Sequence, residues 1–137
     1  MIRWAALGAI VLAFVMAAIW IVWPRQPVGD VVIAPSGQAV TIHEVLFEED
    51  SGSGMWIVVR VAAPNMEDLT GDQRHADLVW ACETWGIPAG EILSRPPERI
   101  IVQMMAQTFP RGEPAQGITQ NIEAYSLSDA SCIWELF

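Results

Sequence analysis

The run WAALGAIVLAFVMAAIWIVWP, from Trp4 to Pro24, contains no charged residue. It constrains the chain more than any other feature, because about 20 apolar residues suffice to cross a hydrocarbon core as a helix. It divides the sequence into a membrane anchor over 1–24, a linker over 25–30 and a soluble domain over 31–137. Trp4 and Trp23 lie nineteen residues apart, or roughly 28 Å along a helix. That spacing sets an indole at each interface of a bilayer. The competing reading is a signal peptide cleaved at Val15-Met16-Ala17. Cleavage there would leave AIWIVWP as an exposed apolar start, and the run outlasts the usual signal core, so an uncleaved anchor is expected. Arg3 and the amino terminus outweigh Arg25, which Asp30 offsets. The slight positive-inside bias therefore puts the N-terminus in the cytoplasm and the domain in the periplasm, at the inner membrane.

Beyond the anchor, six arginines face sixteen acids, a formal charge of −10. Such a domain repels phosphate backbones and anionic lipid, which argues against nucleic acid as a partner. Just over a hundred residues can build one core, and a covalent staple would help. Cys82 and Cys132 are a cysteine pair in a small exported domain, where a disulfide forms readily.

The periodicities predict a β-β-β-α-β-β-β order. VVIA (31–34), AVTIHEVLFE (39–48) and MWIVVRVAAP (55–64) read as strands, the third near-continuously apolar as a covered central strand would be. Thr70 and Gln73 fit a helix capping box. His75, Leu78, Val79, Cys82 and Trp85 then share one helical face, with Arg74, Asp77, Ala81 and Thr84 on the other sides. Gly86 is expected as a left-handed cap, with Pro88 stopping the helix. RIIVQMMAQTF (99–109), ITQNIEAYSL (118–127) and CIWELF (132–137) read as three more strands. The alternation of the last places Cys132, Trp134 and Leu136 on one face, expected to meet Leu78 and Trp85. The fold class expected is α+β: a single N-terminal transmembrane helix, then a small antiparallel sheet with one helix packed across it.

The stretches PSGQAVTIHEVLFE, LVWACETWGIP and CIWELF resemble a family of small, uncharacterised bacterial envelope proteins, over roughly residues 34–137. The resemblance implies an exported domain carrying the two cysteines and transfers no activity.

The sequence excludes several chemistries. It has no Lys, hence no P-loop lysine, Ser-x-x-Lys nucleophile or Schiff base. It has no Gly-x-Ser-x-Gly, Cys-x-x-Cys or His-Glu-x-x-His. His43 and His75 lack any local context of a triad and read as sheet and helix residues. Met55, Met66, Met104 and Met105 with the histidines are of the ligand types a soft copper site would use, yet no spacing concentrates them, and core filling is the better reading. Glu48, Glu49 and Asp50 lack the spacing of a calcium loop. Arg95 and Arg99 flank PPE and are anion candidates, with a solvated loop as the default. Cys82 and Cys132 read as a staple rather than a redox couple, because they lie fifty residues apart and Cys82 falls near a helix end.

Ala5, Ala9, Ala13 and Ala17 recur every four residues along the anchor, a spacing that admits close approach of another membrane helix. The expected function is therefore a non-enzymatic, membrane-anchored extracytoplasmic interaction or accessory module. It needs no cofactor, and its partners are the membrane and possible membrane proteins met through the anchor helix. The alternative is an extracytoplasmic small-molecule or metal-binding sensor or carrier, which needs a pocket lined by His and Met.

Overall fold

The computed structural model describes residues 29–50 and 54–136. Six strands form one sheet in sequential order: β1 (Val31–Ile33), β2 (Ala39–Asp50), β3 (Gly54–Ala62), β4 (Arg99–Met105), β5 (Gln120–Ser128) and β6 (Ser131–Glu135). Between β3 and β4 runs a helical segment. It comprises α1 (Gly71–Ala81), a π turn (Cys82–Gly86) and the short α2 (Ile87–Gly90).

The sheet is mixed, which corrects the expectation of an antiparallel one. Every neighbouring pair is antiparallel except β3 and β4, which are parallel with Val59 opposite Val102. The cause is the crossover. The helical segment carries the chain back across one face of the sheet to the end where β3 began, and a parallel strand requires such a connection. The two central strands are consequently the most buried in the sheet.

Among the described residues no helix is long and apolar enough to cross a membrane. The expected transmembrane helix, with Ala5, Ala9, Ala13 and Ala17, lies outside the described residues, as does most of the expected linker.

The core sits between the helix and the sheet. Ile57, Val59 and Val61 of β3 and Ile100, Val102 and Met104 of β4 pack under Leu78, Ala81 and Cys82. α1 begins at a complete capping box: the Thr70 hydroxyl accepts from the Gln73 N–H, and the Gln73 side chain accepts from the Thr70 N–H.

Gly86 does not end the helix. Its φ is −71°, and the chain continues helically through Pro88 to Gly90. A proline ring collides with the carbonyl four residues back in a regular α-helix. Here a π turn precedes it, with the Ile87 N–H reaching the Cys82 carbonyl, and the wider coil accommodates the ring. Gly86 is instead a contact glycine. A Cβ there would stand 2.7 Å from Cγ2 of Ile100, so its absence lets the helix lie close on β4.

Two buried polar groups lock this framework. Asp77, which periodicity puts off the Leu78–Cys82 face of α1, is nevertheless 1% exposed. Its carboxylate accepts from the Ser36 N–H at 2.9 Å, the Ser36 hydroxyl at 2.6 Å and the Gln38 amide at 2.7 Å. It thereby pins the β1–β2 turn to the helix. On the opposite face of the sheet Arg60 is fully buried. It donates to Glu44, to Gln103 at 2.8 Å and to the Phe109 carbonyl, and it stacks 5.3 Å from the Phe109 ring. Arg111, further along the same loop, pairs with Glu48 at 2.7 Å. The connection between β4 and β5 is thus strapped over the second face.

Candidate interaction edge

Cys82 and Cys132 form a disulfide, with Cα atoms 6.4 Å apart. Cys82 opens the π turn and points at the sheet. Cys132 is the second residue of β6 and pairs with Leu127 across the β5–β6 hairpin. Asp129 and Ala130, at the hairpin tip, both have positive φ, which a two-residue type I′ turn requires. The bond therefore ties the outermost strand directly to the helix.

β6 has β5 on one side and, among the described residues, no strand on the other. An edge strand presents a row of unpaired backbone groups, and proteins usually blunt it with Lys, Pro or a very short strand. β1, the other edge, is only three residues long. β6 carries neither Lys nor Pro, and the charge of Glu135 is taken up by Arg99 at 2.7 Å. Around it Ile133, Trp134 and Leu136 are 48%, 45% and 78% exposed, with Ile122 of β5 at 53%. Trp134 and Leu136 were expected to share the core with Leu78 and Trp85. The helix covers this end of the sheet only in part, so Trp134 stays half-exposed and Leu136, past the end of β6, is largely exposed. Trp134 packs instead on the His75 ring, at 4.5 Å between centroids.

His75 itself is held by Glu123, whose carboxylate lies 2.8 Å from Nδ1 and also accepts from the Tyr125 hydroxyl. The fully buried Tyr125 phenol is pushed far above its ordinary pKa of 10.0, first by burial and then by the hydrogen bond to the Glu123 carboxylate and its charge. The native state thus holds this proton more tightly than the unfolded chain. Its stabilisation is complete below about pH 10 and fades as pH rises further. Tyr125 is the single tyrosine, so phenolate absorbance reports it alone. Above about pH 10 that signal is expected to appear only together with loss of the folded circular-dichroism spectrum.

The other sequence candidates do not converge. Met66 and Met104 lie in the core under the helix, and Met105 lies on the opposite face against Arg60. His43 stands exposed where the register of β2 shifts, 3.9 Å from Glu44. Among the described residues no group of three or more His, Cys, Asp and Glu is placed to hold a metal ion. Glu48 is engaged by Arg111, and Arg99 also lies 5.1 Å over the Trp56 ring. Arg95 is exposed and lines a shallow groove together with Glu91 and Ser94.

Comparison with known proteins adds a family. DUF6497, described as a family of unknown function, matches residues 15–137. The chain belongs to the DUF6497 family. No curated protein and no solved structure matches it. The match spans the whole described domain of this DUF6497 chain, including both cysteines and the β6 edge.

Proposed function

We propose that this DUF6497 chain is a membrane-attached, extracytoplasmic envelope module without enzymatic activity, which holds an extended segment of a partner protein along β6. The carrying observation is the unblunted edge itself: Ile133 and Trp134 are exposed on a strand that the Cys82–Cys132 bond keeps rigid. Strand addition to such an edge draws affinity from backbone hydrogen bonds and specificity from the flanking side chains. Holding the edge in place beforehand lowers the ordering cost of binding. The disulfide supports an oxidising compartment. The charge-free run from Trp4 to Pro24 supports attachment to the membrane. The acidic balance of the domain speaks against nucleic acid.

Site-specific photocrosslinking in native membranes tests this. A photoreactive residue in place of Ile133 is expected to give a discrete protein adduct that the Trp134→Lys variant loses. The same group in place of the exposed Glu113 is expected to give none. Equal labelling at 133 and 113 would refute the reading.

A further inference from the structure

The β5–β6 hairpin fixes which backbone groups of β6 reach outward. Ser128 and Ser131 are the last paired residues before the turn Asp129-Ala130. A pair that closes so short a turn exchanges both of its backbone hydrogen bonds. Bonded and non-bonded pairs alternate along an antiparallel ladder, so Ser126 with Ile133 and Ala124 with Glu135 are bonded as well. Ser131, Ile133 and Glu135 therefore direct their backbone groups to β5. Cys132 and Trp134 turn theirs to the open side, where no strand lies among the described residues.

These two residues lie symmetrically about Ile133, and the side chains around them are complementary under the same symmetry. With a second β6 laid antiparallel so that Ile133 meets Ile133, Cys132 of each copy faces Trp134 of the other. Both pairs are then of the bonded kind, so every outward backbone group of Cys132 and Trp134 finds a partner. On one face of the sheet the half-exposed Ile133 meets its counterpart as a non-hydrogen-bonded pair, with Cα atoms about 4.5 Å apart. On the other face the large Trp134 stands against the small, buried Cys132. Ser131 stands against Glu135, whose charge Arg99 already holds, and Asp129 lies in the turn, beyond the paired length. No like charges stand opposite each other, an arrangement that would oppose pairing. A shift of register by two residues loses this: one direction sets Trp134 against Trp134 and Ile133 against Glu135, and the other sets Trp134 against the turn residue Ala130.

We infer that the extended segment recognised by β6 is β6 of a second copy of this chain, which joins two sheets into one across a two-fold axis at Ile133. The inference rests on the reading of β6 as a recognition edge and names its occupant. The edge asks for an apolar residue opposite Ile133, a small one opposite Trp134 and no acid opposite Glu135, and β6 read in reverse supplies each. The axis stands normal to the sheet, so both helical segments lie on the same face, each packed over β3 and β4 of its own copy. Pairing of β6 with itself is isologous, uses each copy's edge once and closes at two chains. The edges left outside are the two β1 strands, each only three residues long, and very short edge strands resist further addition.

The test uses the full-length protein and the fact that residue 133 meets only its own copy on the axis. In sedimentation experiments in mild detergent the native chain is expected to run as two copies. Ile133→Lys and Ile133→Glu, changes at an exposed site, should each weaken association at least about tenfold, because like charges then face each other across the axis. An equal mixture of the two variants should restore it, since Lys then faces Glu. Undiminished association of Ile133→Lys, or a mixture no better than either variant alone, overturns the inference. In membranes, a chain with a photoreactive residue at 133 is co-expressed with an epitope-tagged copy. The adduct is expected to carry the tag. A discrete adduct without the tag overturns the second copy while leaving β6 as a recognition edge, and no discrete adduct overturns both.

Discussion

Removing the disulfide, by Cys82→Ala with Cys132→Ala, is expected to lower the unfolding free energy by about 4 kcal/mol. The bond closes a loop of fifty residues that contains α2, β4 and β5. In the chain-entropy account the cross-link acts mainly by restricting the unfolded ensemble. A second, native-state effect adds to it here. β6 is an edge strand paired on one side, with Ile133, Trp134 and Leu136 exposed around it, so Cys132 and the Trp134–His75 contact are what hold it to the helix. Typical domains have about 5–15 kcal/mol of stability in total, so the loss is a large fraction. The check is urea denaturation with and without reductant. The native protein should drop to the level of the double variant when reduced, and the variant should ignore reductant. An unchanged midpoint in the reduced native protein would contradict this picture of β6.

Asp77→Ala should cost about 3 kcal/mol. The substitution removes the acceptor of three hydrogen bonds, from the Ser36 N–H, the Ser36 hydroxyl and the Gln38 amide. Buried donors left unmade cost more than the bonds contribute when formed. Gln38 is the sensitive partner: it is 7% exposed, and its Oε1 already lacks a partner among the described residues. Ser36 is part-buried, so water relieves some of its loss. Asp77→Asn is expected to do little better, because an amide turns one acceptor into a donor facing donors. Ser36→Ala should cost less than Asp77→Ala, and the double variant should fall well short of the sum, since both act on one network. Additive midpoint shifts would show that the turn and helix are not coupled through Asp77.

Some of this was legible in local patterns. The Thr70–Gln73 cap formed where the residues predicted it, because a capping box uses only groups three positions apart. Cys82 fell on the core face with Leu78 through the helical period. Arg60 carried a signal that sequence reasoning passed over: a charge inside the apolar run WIVVRVA has to be buried with partners. Its partners, Glu44, Gln103 and Phe109, come from three other segments, and nothing near Arg60 in the chain names them. Arg95 and Arg99 flank PPE as a pair of anion candidates in the sequence; the structure separates them, Arg99 into an ion pair with Glu135 and Arg95 into the mixed lining of a shallow groove that also holds Glu91.

The sequence by itself determined the alternation of each strand, the start of α1 and the availability of two cysteines for one bond. These depend on neighbours within a few positions, or on the composition of the chain. Only the tertiary structure decided that β4 runs parallel to β3, that Asp77 is buried and that Trp134 and Leu136 stay exposed. Periodicity assigns a side chain to a face of its own element. What lies opposite that face depends on where the crossover helix sets the chain down and how far across the sheet it reaches, and here it meets β6 at Cys132 and, through the His75 ring, at one face of Trp134.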